Sequence, residues 1–280
     1  MAVPVHLNTF FSYKETLAVT DVQTIIDDLR LELITNRSAP NLWIEFVLPV
    51  VAGAGNFKSP VRSDGAYFTV TVTKISATRL SFVVKDNLGM LVNNQTDTRL
   101  DIATSPGNTV RYFTGPLHFV VDSARTTPEC FACGIADQTP EALSVPRPVV
   151  WATAGPRSNA GTLTNQTWGN LFCLVPGATS YSTGLGYYTT ARGYSYSNIL
   201  LQTLTGVLLP LPAELAFYYG STSAPSWWGG RMHQAVMLDQ TQNYGAEFNV
   251  PLDGPVTGVF KIVGLTSWGN AVLAFRKATL

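Results

Sequence analysis

The chemical pattern with the most specific spacing is a pair of cysteines three residues apart, Cys130 and Cys133. A structural zinc site needs four ligands, usually from two such pairs, and the only other thiol in the chain is Cys173. The stretch from Phe131 to Ile135 has the composition of a strand, in which residues three apart point to opposite faces. A redox Cys-x-x-Cys would begin a helix in a βαβ pattern, which is absent here. We therefore expect both thiols to be inert core residues.

A second group of reactive residue types lies in one segment, where His118 is followed by Asp122 and Ser123. A Ser-His-Asp triad is recognised by its geometry rather than by spacing, and no G-x-S-x-G elbow occurs in this sequence. The central loops offer no carboxylate pair for glycoside hydrolysis, because no acidic residue lies between Asn159 and Gln202. The phosphate-binding pattern G-x-x-x-x-G-K-[ST] is also absent. The sequence predicts a protein that is not an enzyme and uses no cofactor or metal.

Tyrosine and tryptophan are concentrated among small and polar residues in the long loops of residues 154–170, 176–196 and 219–233. Aromatic residues with small, flexible neighbours are favoured at protein contacts. The candidates for contact with other subunits or with a receptor are Tyr187, Tyr188, Tyr194, Tyr219, Trp227 and Trp228. The alternative is that these rings fold back and cover the ends of the domain.

The elements that must position these residues are mostly strands. From Phe68 to Thr73 apolar residues alternate with threonine, which is the pattern of a strand with one buried face. Similar short runs rich in β-branched and aromatic residues are Leu42 to Leu48, Leu80 to Val84, Leu117 to Val121, Phe131 to Ile135, Asn198 to Leu204, Val259 to Val263 and Ala271 to Phe275. Because turn residues separate them along the whole chain, we predict an all-β fold, a sandwich of two facing antiparallel sheets with long loops.

The N-terminal segment, residues 1–40, differs from the rest. Val22, Ile25, Ile26 and Leu29 have helical spacing, and Asp21 could cap such a helix, so the segment from Thr20 to Leu31 is either a short helix or part of an extended arm. This segment has three basic and five acidic residues, a net charge of 3 − 5 = −2, which opposes RNA binding. We expect residues 1–40 to form an arm that packs on neighbouring subunits, and residues 41–280 to form a single domain.

The composition indicates an association surface rather than a free monomer. Lys plus Arg and Asp plus Glu both number 18, so the net charge is zero, and charged residues make up 13% of the chain, about half of the usual 25%. A soluble monomer normally carries a net charge. The absence of a basic excess argues against autonomous nucleic-acid binding. No apolar run is long enough to span a membrane, and the start has no signal-peptide pattern.

One segment, from Gly115 to Pro140, resembles the central hairpin of picornavirus-like capsid proteins. The matching parts are Leu117, Phe119 and Val121 in the first strand (the family pattern G-x-L-x-F-x-F), Ser123 to Pro128 in the turn, Phe131 to Ala136 in the second strand, and Pro140 in the exit. The stretch from Gly258 to Phe275 is similar to the last hairpin of that family.

This resemblance implies an eight-stranded antiparallel jelly roll that forms the wall of a small, non-enveloped icosahedral RNA virus. The implied partners are other copies of the chain, related capsid subunits and a host receptor, with the packaged RNA contacted only indirectly. The implied location is the virion, assembled in the host cytoplasm. Because the chain begins with Met1, it is expected to be the first product of a capsid reading frame or a separately expressed subunit, as in insect picorna-like viruses of the Nora virus kind.

Two other functions fit the pattern less well. A β-sandwich carbohydrate-binding, adhesin or tail-spike module would use Trp227, Trp228 and the loop tyrosines to stack on sugar rings. A secreted lectin would show a signal peptide and a fibre would show repeats, and neither is seen. A sandwich-fold hydrolase would need a recognisable catalytic set, which the sequence does not show.

The cysteine analysis gives the first testable prediction. Elemental analysis of the purified protein should show no stoichiometric zinc, because a single Cys-x-x-Cys pair in a strand does not supply four converging ligands. Stoichiometric zinc that disappears in the Cys130→Ser variant would contradict this expectation.

Overall fold

A computed structural model describes residues 10–47, 50–92, 99–101, 108–124, 129–136, 150–156, 170–173, 187–189, 210–217, 227–239, 243–252, 256–266 and 271–280. Within these ranges the chain forms seventeen strands and one α-helix, α1 (Val22–Arg30), which continues into a π-helical turn (Leu31–Thr35). The strands in chain order are β1 (Ser12–Val19), β2 (Ile44–Glu45), β3 (Ala54–Lys58), β4 (Phe68–Ser76), β5 (Arg79–Asp86), β6 (Arg99–Asp101), β7 (Asn108–Thr114), β8 (His118–Ala124), β9 (Glu129–Ile135), β10 (Val150–Pro156), β11 (Asn170–Cys173), β12 (Tyr187–Thr189), β13 (Leu211–Phe217), β14 (Trp227–Asp239), β15 (Glu247–Pro251), β16 (Thr257–Thr266) and β17 (Ala271–Thr279).

The described strands form three antiparallel sheets, which we name the front, central and back sheets. The front sheet has the order β2-β3-β4-β5-β6, and the central sheet has the order β1-β7-β8-β9-β10-β11. The back sheet has the order β12-β13-β14-β17-β16-β15. Because β14 lies beside β17, the connection from β14 to β15 passes over two strands, which is a Greek-key connection.

The central sheet is covered on both faces. Along β8, Phe119 and Val121 belong to the core cluster shared with the front sheet. The alternate residues point the other way: the His118 ring lies 6.3 Å from the ring of Phe275 in β17, and Asp122 accepts hydrogen bonds from Tyr244 and from Gly264 in β16. Since successive residues of a strand point to opposite faces, the order of layers is front, central, back.

Aromatic packing holds the front sheet on the central sheet. Phe82 of β5 and Phe131 of β9 stack with ring centroids 3.9 Å apart and planes within 9°. Trp43 is fully buried beside them, with edge-on contacts to Phe68 and Phe119 at 5.3 and 5.8 Å, and its indole N–H donates to the carbonyl oxygen of Gly115 at 2.9 Å. The buried indole therefore keeps its hydrogen bond, as a buried tryptophan requires.

Of the two alternatives for the N-terminal segment, a short helix or an extended arm, the structure has the helix, α1. The Asp21 carboxylate accepts a hydrogen bond from the backbone N–H of Gln23 (2.7 Å) and caps the helix. The four apolar residues at helical spacing, Val22, Ile25, Ile26 and Leu29, are fully buried in the core of the same chain. The expectation that these residues pack on a neighbouring subunit is therefore wrong, because the core of this chain already covers them.

The strand β1 also joins the N-terminal segment to the rest of the chain. It pairs with β7 from Ser12 opposite Thr114 to Val19 opposite Asn108. The described part of residues 1–40 thus shares its hydrogen bonds and its core with residues 41–280.

The alternating pattern of Phe68 to Thr73 is confirmed, since Phe68, Val70 and Val72 are fully buried and the threonines between them are half-buried.

The number of strands and sheets differs from the eight strands in two sheets that we predicted. The additional layer arises because β8 and β9 are buried on both faces. Strands of this kind show no alternation of apolar and polar residues that would reveal a second partner. The predicted strand from Asn198 to Leu204 lies outside the described residues.

The position of α1 gives the second prediction. The Ile25→Ala variant should lose about 2–5 kcal/mol of unfolding free energy, because it opens a cavity in the shared core. The matched Leu17→Ala variant removes a side chain of β1 that is 71% exposed, so its cost should stay within about 0.5 kcal/mol. Urea unfolding followed by circular dichroism measures both. Equal small effects would show that α1 is not part of the core.

Candidate functional site

The structure brings together aromatic residues that lie about forty residues apart in the sequence. In the back sheet the backbone register places Tyr187 opposite Phe217, and Phe217 opposite Trp227. The next row contains Tyr188, Ala216 and Trp228. The candidates Tyr187, Tyr188, Trp227 and Trp228 therefore belong to two adjacent rows at one end of the β12-β13-β14 ladder, in strands rather than in the loops that we predicted. The candidates Tyr194 and Tyr219 lie outside the described residues.

The two cysteines lie in β9, as the sequence predicted, and are buried. Cys133 pairs with Phe119 and belongs to the core of the front and central sheets. Cys130 pairs with Asp122, which points to the back sheet. The thiols thus lie on opposite faces, and burial raises the pKa of both well above the ordinary value. Among the described residues no group of three or more His, Cys, Asp or Glu side chains could hold a metal ion.

The residues His118, Asp122 and Ser123 do not form a triad. Asp122 and Ser123 are consecutive in β8 and therefore point to opposite faces. His118 and Asp122 share a face, but four residues of strand separate them by roughly 13 Å. Burial lowers the pKa of His118 well below its ordinary value, which keeps this imidazole neutral. The arrangement fits a structural role for His118 between the sheets.

A buried polar network connects the central and back sheets around Asp122, which is fully buried. The hydroxyl of Tyr244 donates to Oδ2 of Asp122 (2.8 Å), and the backbone N–H of Gly264 donates to Oδ1 (2.8 Å). Nη1 of Arg111 donates to the Tyr244 hydroxyl oxygen (3.0 Å) and lies 3.6 Å from Oδ2 of Asp122. The Arg111 guanidinium also lies over the Tyr244 ring, 5.3 Å from its centroid.

This network contains one group that titrates in the weakly acidic range. Burial raises the pKa of Asp122 to about 6, although the hydrogen bonds from Gly264 and Tyr244 and the charge of Arg111 act in the opposite direction. Burial also raises the pKa of Tyr244, so its hydroxyl remains a donor wherever the protein is folded. The sequence analysis noted Asp122 but missed Arg111 and Tyr244, because residues 133 positions apart give no local signal of their contact.

A surface feature that the sequence also missed is a group of exposed apolar residues at the edge of the front sheet. They lie in β2 and in the connection to β3, and we name them the edge patch: Ile44 (49% exposed), Phe46 (44%), Val47 (43%), Val50 (49%) and Val51 (59%). Further exposed apolar residues lie elsewhere on the described surface, namely Leu17, Val61, Ile75, Leu88 and Leu280. Single exposed apolar residues are ordinary, so several of them within one short stretch of chain are the more informative feature.

Two charged residues, Glu45 and Lys58, lie at the edge patch. Glu45 is the only charged residue between Asn41 and Phe57. Its carboxylate accepts from Nε of Arg30 at 3.0 Å and from Nη2 of Arg30 at 3.0 Å. The second charged residue, Lys58 of β3, lies directly opposite Ile44, and its ammonium lies over the Tyr67 ring, 3.9 Å from the ring centroid.

Comparisons with known proteins give no assignment. No family model matches the chain. No curated protein matches it either. Among the residues that the structure describes, no helix has the length and apolar character needed to cross a membrane.

The Asp122 network gives the third prediction, on pH dependence. The folded protein keeps the proton of Asp122 up to about pH 6, whereas the unfolded chain releases it near the ordinary value of 3.8. Raising the pH between these values therefore lowers the stability of the folded state, by about 3 kcal/mol in total if each pKa unit contributes about 1.4 kcal/mol. The Asp122→Asn variant should lose this pH dependence.

Urea unfolding at a series of pH values from about 4 to about 7 measures this difference between the two proteins. The Asp27→Asn variant is the control, since that side chain is 60% exposed on α1 and lies away from the sheet interface. Its pH profile should follow the unsubstituted protein. Parallel profiles for the Asp122→Asn variant and the unsubstituted protein would contradict the prediction.

Proposed function

We propose that the chain is a structural subunit of the capsid of a small, non-enveloped icosahedral RNA virus, as the resemblance of Gly115 to Pro140 to the capsid hairpin suggests. The observation that carries the proposal is exposed apolar surface on a chain without net charge. The edge patch and the separate exposed residues Leu17, Ile75 and Leu88 lie on different parts of the described surface. A subunit of a closed shell needs more than one contact surface, because it meets neighbours around more than one symmetry axis.

The layered architecture supports a rigid building block. Three sheets packed through two cores resist bending, since interiors are close-packed and have low compressibility. The resemblance implies a jelly roll with eight strands in two sheets and two Greek keys. The described strands form three sheets with one Greek-key connection, so the proposal rests on a layered all-β wall and not on the eight-stranded jelly-roll topology.

The charge distribution supports indirect contact with the packaged RNA. Many basic side chains of the described surface are paired with a carboxylate of the same chain, in the pairs Lys14–Asp28, Arg30–Glu45, Arg62–Asp64, Lys74–Asp21, Lys261–Glu247 and Lys277–Glu247. Such pairs leave little basic charge to neutralise phosphates.

The proposed partners are other copies of the chain, sister subunits and a host receptor, and the proposed location is the virion, assembled in the host cytoplasm.

A carbohydrate-binding or adhesin module is the second candidate. The register that places Tyr187, Phe217 and Trp227 in one row of three adjacent strands supports it. Aromatic residues gathered in one place are a common platform for sugar rings. In a capsid subunit the same two rows would be candidates for contact with a receptor. The register of β12, β13 and β14 therefore fits a contact surface in the carbohydrate-binding module and in the capsid subunit alike.

The fourth prediction concerns assembly. The purified chain, alone or co-expressed with its sister subunits, should sediment as capsomers or particles. This assembly should persist when NaCl is raised from about 0.1 M to about 1 M, because apolar contacts do not weaken as the screening length falls from about 10 Å to about 3 Å. Nuclease treatment is the control for assembly through RNA. A chain that stays monomeric at high concentration, and binds glycans in that state, would contradict the capsid proposal and favour the second candidate.

A further inference from the structure

Two buried titratable side chains lie on the same face of β8. His118 and Asp122 are four residues apart, and both point to the back sheet. Their exposed fractions are 1% and 0%. Burial disfavours the charged form of any group, so it opposes proton uptake by an imidazole and proton release by a carboxyl group. The interface between the central and back sheets therefore holds one group of each kind.

The described groups that face His118 are neutral or positive. Its ring lies parallel to the ring of His233 in β14, with centroids 6.2 Å apart, and 6.3 Å from the ring of Phe275 in β17. The charge that acts on it is that of the Arg37 guanidinium. Nδ1 of His118 has no hydrogen-bond partner among the described residues. A proton on this ring would meet a cation in a buried interface, so the folded protein keeps His118 neutral.

A second cation lies at the same end of the interface. Nη1 of Arg276 in β17 donates to Oε1 of Gln234, the residue that follows His233 (3.2 Å). The carboxylate of Glu32 acts on the charge of Arg37. The charges at this end therefore oppose a further proton.

The groups that face Asp122 come from four other parts of the fold. Arg111 of β7 is the nearby cation, and its Nε also lies 3.6 Å from Oε1 of Glu15 in β1. Cys130 of β9 lies directly opposite Asp122, and burial raises the pKa of this thiol, which keeps it neutral. The hydroxyl of Tyr244 and the backbone N–H that follows β16 residue 263 donate to the carboxylate. Burial outweighs these contacts and raises the pKa of Asp122 to about 6.

Acidification acts on the two groups in opposite directions. Below the ordinary imidazole pKa of 6.5, an opened interface takes up a proton at His118 that the closed interface does not, so a fall in pH favours opening. Asp122 takes up its proton near pH 6 in the closed interface and only near 3.8 in the opened one, so the same fall favours closing. From pH 7 to pH 5 the first effect changes the opening equilibrium about 25-fold and the second about 10-fold. The two effects therefore nearly cancel.

We propose that His118 and Asp122 form a charge-compensated pair, which keeps the contact between the central and back sheets stable from neutral to weakly acidic pH. Without Asp122 acid opens this interface, and without His118 acid closes it more tightly. The contribution of Asp122 is then measured as the difference between the Asp122→Asn variant and the unsubstituted protein. The inference concerns an interface within one subunit and does not depend on the proposed function.

The buried thiols report which interface opens. Cys130 faces the back sheet, whereas Cys133 belongs to the core shared with the front sheet. Replacing Cys133 and Cys173 by Ala leaves Cys130 as the only thiol, and replacing Cys130 and Cys173 by Ala leaves Cys133. The reagent is dithiodipyridine, which also reacts with thiols at acid pH. Its rate with the folded chain, divided by its rate with the same chain in urea at the same pH, gives the opening equilibrium.

The opening equilibrium at Cys130 should change less than about 3-fold between pH 7 and pH 5 when His118 and Asp122 are both present. Acidification should raise it about 25-fold in Asp122→Asn and lower it about 10-fold in His118→Gln. The double variant should again show little change. His118→Phe keeps a ring between the sheets and gives a second measurement if His118→Gln does not fold. Asp27→Asn is the control, since that side chain is 60% exposed.

These pH slopes separate titration from packing, because a variant that only loosens the interface raises labelling equally at every pH. Equal slopes for the His118 and Asp122 variants would overturn the inference. Labelling of Cys130 that rises about 10-fold or more on acidification, with both groups present, would overturn it too. The same slopes at Cys133 would show that the front core opens as well, and would contradict the assignment to this interface.

Discussion

The rest of the structure depends on the burial of the central sheet from both sides. Its inner strands β8 and β9 must present apolar or hydrogen-bonded groups on two faces at once, because both of their faces are buried. In β8 this is achieved by Phe119 and Val121 on the front side and by His118 and Asp122 on the back side. The cost of burying a carboxylate is offset by two hydrogen-bond donors and a guanidinium. The central sheet therefore determines where both outer sheets can lie.

The two cores that result have different chemistry. The front core is made of interlocking rings and aliphatic side chains, with the Phe82–Phe131 stack and Trp43 at its centre. The back interface contains a polar network in which Arg111, Asp122 and Tyr244 connect β7, β8 and the residues before β15. Buried networks of this kind specify one relative position of two layers, because any displacement leaves a charged group without partners. We infer that the network holds the back sheet in register with the central sheet.

The surface follows from the same arrangement. With its front and central sheets committed to two internal cores, the chain leaves an edge at β2 that no described strand covers. Exposed apolar residues lie next to that edge, where the Glu45 carboxylate is held by Arg30.

The sequence by itself determined the all-β class and the setting of the cysteines, and it gave the helix as one of two alternatives. The alternation from Phe68 to Thr73 fixes which side of β4 is buried, and Asp21 with four apolar residues at helical spacing is the pattern that α1 adopts. Strand geometry separates the Cys130 and Cys133 thiols without further information. These features are local, because a strand or helix pattern repeats within a few residues.

The tertiary structure alone decided the number of layers, the polar network and the edge patch. The run from Leu42 to Leu48 has the composition of a whole strand, yet β2 comprises only Ile44 and Glu45, and the side chains of Phe46 and Val47 after it are exposed. Arg111 meets Tyr244 across 133 residues, and Tyr187 joins the row of Trp227 through β13. Exposure, partner choice and the stacking of sheets depend on contacts between distant segments, and the hydrophobic pattern of each segment is compatible with more than one such partner.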